Sequence, residues 1–186
     1  VGAVLTQFRL AVIVAAMLAT AWTGQALAFW PFGGGAARLE IAPAYGGVCE
    51  DCDLSGRLLV GAKMTNSVFN RSDFSNAVMS RADASGSEFE AADFTETDLR
   101  RASFADASCP RARFERAMLA NANGSRADFT RASFAGADVT SMTFVSANLS
   151  GADMRGARGL TQAQLDEACG DARTRLPRGL RVARCG

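Results

Sequence analysis

From Cys52 onward the chain divides into fives without an insertion: CDLSG, RLLVG, AKMTN, SVFNR and so on to ADMRG, which ends at Gly156. The first position of each unit is small, alanine in 14 of 21 units, with Arg57 and Met142 as departures. The third is Phe, Leu, Met or Val in 18, the exceptions being Ala84, Cys109 and Gly124. Asp, Asn, Ser, Thr, Arg and Gly dominate the other three positions. First and third positions are two residues apart, so in extended backbone they point the same way. A helix would scatter this repeat around its axis, because five residues turn it by about 500°. The pattern therefore predicts a short extended step and then a corner. Four corners close a coil of twenty residues, and about five such coils stack at the strand spacing of ~4.8 Å.

Folding the sequence by twenty sorts the large positions onto four sides. Side one carries Leu54, Phe74, Phe94, Phe114, Phe134 and Met154; side two Leu59, Met79, Leu99, Leu119 and Val139. Side three carries Met64, Ala84, Phe104, Gly124 and Phe144; side four Phe69, Phe89, Cys109, Phe129 and Leu149. Side three alternates large with small, so Phe104 and Phe144 are expected to lean over Ala84 and Gly124. Met142, in a small position beside that gap, is expected to fill the same space.

These units resemble the pentapeptide-repeat family, whose pattern is A-(D/N)-L-x-x, and the match runs from Cys52 to Gly156. The resemblance implies an all-β solenoid, a right-handed quadrilateral β-helix over 52–156. Arg57 and Gly124 are its local departures. The stretch "SANLSGADMRGARGLTQAQLDEACGDARTRLP" is similar to exported bacterial members of that family.

Both ends depart from the repeat. At the front, Arg9 precedes an apolar run from Leu10 to Trp22, followed by Thr23 to Gln25 and then "ALA" ending at Ala28. A basic residue, a short apolar core and a small-x-small site read as a secretory signal peptide over 1–28. The run is short of the ~20 residues a spanning helix needs; an uncleaved anchor extending through "FWPF" is the rival reading. Residues 29–51, with "GGGAAR", read as a flexible lead-in and N-terminal cap. Residues 157–186 read as a short amphipathic helix and a pinned tail. In "LTQAQLDEAC", Thr161 and Gln164 have capping-box spacing, and a stacked coil needs such a closure. "RTRLPRGLRVARCG" then runs back as an extended basic tail.

Five cysteines in an exported chain imply two disulfides and one spare thiol. Cys169 and Cys185 flank the tail, and their pairing would pin it. Cys49 and Cys52 form C-x-x-C, open to three readings: a redox centre, half of a metal site, or a small structural disulfide at the first coil. Two thiolates alone do not fill four zinc positions, which leaves no metal expected. Cys109 sits in a large core position and reads as an inert buried thiol.

Charge and chemistry narrow the function. Residues 29–186 hold 19 basic and 19 acidic residues, which argues against a nucleic-acid binder held by a basic field. There is no histidine, so a Ser-His-Asp arrangement cannot form. A carboxylate pair could hydrolyse glycosides, but Asp73, Asp83, Asp93, Asp98, Asp128 and Asp138 recur at the outward second position, where solvated surface explains them better. No catalysis, cofactor or small-molecule substrate is expected, nor any membrane contact after leader removal. The family resemblance adds one alternative: some cytoplasmic members mimic duplex DNA with an acidic rod and bind gyrase, giving quinolone tolerance. Here Asp53, Asp73 and Asp93 stack, but Arg113 and Ser133 interrupt them, and 52–156 holds 13 acidic against 12 basic residues.

What remains is an exported scaffold or protein-interaction module, periplasmic or extracellular. Its candidate interaction face lies on side two, where Leu58, Val60 and Val78 occupy outward positions and Met118 and Ala120 continue the apolar character after Asp98 and Arg100. An exposed apolar patch of this kind calls for a cover. Candidates are the chain's own Phe29, Trp30 and Phe32, an unknown protein partner, or a second copy.

Overall fold

The computed structural model describes residues 47–186. The expected leader, most of the lead-in, and Phe29, Trp30 and Phe32 lie outside the described residues. Isolated parallel bridges join each second position to the one twenty residues later, as in Asp53↔Asp73↔Asp93 and Leu58↔Val78↔Asp98. Four such ladders, separated by turns, make the four-sided coil that the period predicts.

The backbone of one unit explains the regularity. The second-position N–H donates to the coil before (Asp93 N to Ser72 O, 2.9 Å) and the third-position N–H to the coil after (Phe94 N to Arg113 O, 2.7 Å). The first-position N–H closes the turn behind it, Ala92 N to Phe89 O at 3.1 Å. The fifth residue has positive φ in every unit from Asp51 to Gly156, the third-corner geometry of a type II turn. Sixteen of these left-handed residues are not glycine, and seven are arginine. Such a conformation is uncommon for side chains larger than glycine, so the stacked ladders impose it.

The fourth-position N–H has no backbone partner, and here the second-position carboxylate or amide steps in. Asp73 accepts from Ser75 N (2.7 Å), Asp93 from Thr95 N (2.8 Å), Asn123 from Ser125 N (3.0 Å) and Asn148 from Ser150 N (3.0 Å). This local side-chain-to-backbone bond is the Asx turn. The recurring Asp is therefore a corner-builder.

Inside, first and third positions fill a dry core. Phe74, Phe94, Phe114 and Phe134 stack on side one with ring centroids 4.9 Å apart at each step. Phe89 and Phe104 meet them edge-on. Ser72 and Thr97, buried in small positions, donate their hydroxyls to Cys49 O and Phe74 O at 2.7 Å. No buried side-chain polar atom among the described residues lacks a partner. Arg57, in the first complete coil, leaves its small position for solvent.

Met142 fills the gap at Gly124: a Cβ built on Gly124 would lie 2.9 Å from Met142 Cε and 3.0 Å from Phe129 Cε2. Two departures thus compensate each other. Met142→Ala should cost about 2–5 kcal/mol by opening a cavity, and Gly124→Leu alone should overpack the site by about 1–3 kcal/mol. The double variant, which restores the repeat's pattern at both positions, should melt above either single; strictly additive melting shifts would refute the compensation.

The ladders run past both ends of the Cys52–Gly156 register. Val48 bridges Val68, so residues 47–51, GVCED, form a further unit with Cys49 in its large position. At the other end α1 (Gln162–Asp166) is capped by Thr161 and Gln164 in a reciprocal capping box. Gln164 Nε2 also donates to Val139 O (2.9 Å) and Met142 O (2.7 Å), and Leu165 is fully buried, so α1 sits over the last coil. The chain then rejoins the ladders at Asn148↔Cys169 and Asp153↔Arg175. β1 (Cys169–Gly170) pairs in parallel with β2 (Ala183–Arg184).

Candidate interaction surface

Each residue singled out from the sequence within 47–186 has a place in this frame. Cys49 is bonded to Cys52 and Cys169 to Cys185; Cys109 is free and fully buried. Burial pushes the Cys109 thiol far above its usual range, which keeps it un-ionised and unreactive. The Cys169–Cys185 bond holds β2 against β1, where Cys185 N donates to Gly170 O at 3.0 Å. No group of His, Cys, Asp or Glu among the described residues could hold a metal ion, and no helix among them is long and apolar enough to cross a membrane.

The acidic stack on side one does not form a continuous anionic face. Asp93 is ion-paired with Arg113 in the next coil at 3.0 Å, and Asp153 is held by Arg155 at 2.6 Å. Hydrogen bonds from Arg155 hold the Asp153 carboxyl below the usual range, and those from Thr140 do the same for Asp138. Asp171, at the cap, is drawn down to about 2 chiefly by its bond with Arg173. It also accepts from Gly151 N at 2.8 Å, which ties the tail segment to the last coil.

Arginines at the left-handed corner positions form a second class of contact. Arg71 reaches Asp51 at 2.8 Å, Arg116 reaches Glu96 at 2.7 Å and Arg126 reaches Asp106 at 2.6 Å, each pair twenty residues apart. Arg111 likewise pairs with Glu90. Positive φ swings these side chains away from the core onto the coil below. Nothing in the pattern of large and small positions had marked the fifth position as special; the signal was its glycines and asparagines, such as Gly56, Gly61, Asn66 and Asn76.

On side two, Leu58 and Val78 are adjacent rungs of one ladder. Leu58 is 45% exposed, Val60 49% and Met118 38%, while Val78 is half-buried. Asp98 separates Met118 from the Leu58–Val78 pair, and Arg100 clamps Asp98 with bonds of 2.8 and 2.7 Å. The structure thus brings Leu58, Val60 and Val78 together and leaves Met118 apart. An apolar pair absent from the sequence reading, Val48 over Val68, lies on the opposite side four.

A family model for pentapeptide repeats matches this chain in 8 copies, over residues 49–83, 72–108, 85–117, 107–141, 125–158 and 134–169. Among solved structures, HetL from the cyanobacterium Nostoc, a protein involved in heterocyst differentiation regulation, is 19% identical with a TM-score of 0.39; the match covers 62% of this chain and 64% of HetL. This chain therefore spans less than two thirds of HetL's length. QnrB1, a plasmid-mediated fluoroquinolone resistance protein, is 17% identical with a TM-score of 0.38, over 68% of this chain and 94% of QnrB1. A pentapeptide repeat protein of the Arabidopsis thaliana thylakoid lumen is 24% identical with a TM-score of 0.25, covering 62% and 71% of the two chains. No curated protein matches. Proteins built of these repeats generally serve as structural or interaction modules. Matched from residue 49 to 169 and built of twenty-residue coils, this chain belongs to the pentapeptide-repeat family.

Proposed function

We propose that the chain is an exported, non-catalytic interaction module: a right-handed quadrilateral β-helix that presents its second side to a protein partner in the periplasm or outside the cell. The observation that carries this reading is the fate of the polar groups. The recurring carboxylates are engaged in corner caps or ion pairs, as at Asp73, Asp93, Asp98 and Asp153, while Leu58 and Val60 stand exposed where most other units are polar. The leader-like sequence and two disulfides support export, since disulfides persist in oxidising compartments. The gyrase-binding alternative has less support, because the side-one ladder changes sign at Arg113 and the coils carry almost no net charge.

The test is a photo-crosslinking residue placed at Val60, with Asn123 on side three as control, in the full chain expressed with its leader. A discrete adduct from Val60 alone is expected, on a mature protein that begins at Phe29. Adducts from neither position, or protection of gyrase from a quinolone by the purified protein, would overturn the reading.

A further inference from the structure

The corner that follows Leu58 and Val78 lacks the side-chain cap that the Asp and Asn corners have. Where the second position is Asp or Asn, its side chain accepts the fourth-position N–H, as Asp93 does from Thr95. Leu58 and Val78 have no acceptor to offer, and the N–H groups of Val60 and Ser80 are without a partner among the described residues. Gly61 and Arg81 come next on this corner, and Arg101, which ends the Asp98-capped unit one coil on, stacks beyond Arg81; both arginines are exposed and have no carboxylate in ion-pair reach among the described residues. On the other corners Arg71, Arg111, Arg116 and Arg126 each meet an acid in a neighbouring coil, and Arg131 alone does not among the described residues.

We propose that this corner is a docking site for an acidic polypeptide segment, whose carboxylates take the acceptor role that Asp or Asn fills in the capped units. The proposal rests on the interaction-module reading and names the chemistry of its partner. Side four supplies an internal comparison. There Val48 and Val68 also leave Glu50 N and Asn70 N without acceptors, and an arginine again stands on the corner. In that case the chain provides its own anions: Asp51 and Glu50 hold Arg71 at 2.8 and 3.2 Å. Between sides two and three nothing in the described chain does so.

The neighbours select among anionic partners. Exposed Leu58 and Val60 favour a partner with apolar groups between its acids, which a sugar polymer or nucleic-acid backbone lacks. Asp83 and Asp98 flank the corner and would have to approach the anionic headgroups of a bilayer, where basic recognition usually draws on about 4–8 clustered cations. A polypeptide of alternating acidic and apolar residues meets both requirements, because guanidinium–carboxylate pairs and backbone N–H donors are directional.

The test uses the full chain in a random dodecapeptide display selection, with affinity of the recovered peptides measured by calorimetry. Peptides rich in Asp and Glu interleaved with Leu, Ile or Val should be recovered, and their binding should weaken with salt. Leu58→Asp and Val78→Asp follow the repeat's own pattern, so both should melt no lower than the parent while weakening peptide binding about tenfold or more. Arg81→Ala with Arg101→Ala should weaken it similarly and flatten the salt dependence. Recovery of neutral or basic peptides, or acidic peptides that bind the Asp variants undiminished, overturns the acidic docking site while leaving an interaction module elsewhere on the coils. Binding to vesicles containing anionic phospholipid, lost in Arg81→Ala with Arg101→Ala but with no acidic peptide recovered, overturns it in favour of a membrane surface.

Discussion

Phe94→Ala is expected to destabilise the protein by about 3–5 kcal/mol, the range for deleting a fully enclosed aromatic ring. Phe94 has no exposed surface and stacks between Phe74 and Phe114 at 4.9 Å on each side. Phe89 and Phe104 close over its edges at 5.3 and 5.7 Å. Four aromatic neighbours cannot all relax into one vacancy, because each is fixed by the ladder of its own coil. In a stacked repeat each coil is stabilised mainly by its nearest neighbours, so a void in the middle weakens two interfaces at once. Denaturant melts should show a lower midpoint and a broader transition than Cys109→Ala, which removes one sulfur from a core position. A shift corresponding to less than about 1 kcal/mol would mean the stack can collapse.

Cys185→Ser should cost about 3 kcal/mol on the chain-entropy account of a loop of roughly 15 residues. The loss should be local. Cys185 anchors β2 to β1, whose Cys169 already rejoins the ladder at Asn148. Hydrogen exchange should therefore accelerate at the Cys185 position and across 171–184, with protection of the central coils unchanged. Reduction of the parent protein should reproduce the effect. Cys52→Ser should do less, because Cys49 and Cys52 are only three residues apart and close a short loop. Equal acceleration throughout the coils would show instead that the cap and the stack unfold as one unit.

The core of this fold was legible because two positions in five carry nearly all the buried volume, and their spacing dictates extended backbone. The compensation of Gly124 by Met142 was legible for the same reason: volume missing from one position reappears in its neighbour. Corner chemistry was not. Read as polarity alone, Asp93 is a solvated acid, whereas its use is to accept the Thr95 N–H. The left-handed fifth position was obscured because arginine, a poor marker of positive φ, fills seven of its places. Starting the register at Cys52 hid the unit GVCED, and with it the Val48–Val68 pair and the large-position role of Cys49. The C-terminal return of the chain to the ladders was equally hidden. Cys169 follows its partner Asn148 by 21 residues and Arg175 follows Asp153 by 22, offsets set by how α1 and the next turn pack rather than by any repeat. On side two, the adjacency of Leu58 and Val78 followed from the period, but the unmet N–H groups beside them needed the hydrogen-bond pattern.

The twenty-residue spacing of the ladders also governs how such a chain can change length. Inserting or deleting one five-residue unit preserves every core contact type, yet it turns all downstream coils by one side. A residue that faced one neighbour would then face another a quarter-turn away, with no change in its own identity. Growth by four units restores the original alignment and only separates the two ends. Length variation in this architecture is therefore a rotary dial: small indels reassort whole surfaces against one another, and only full coils leave the exterior pattern intact.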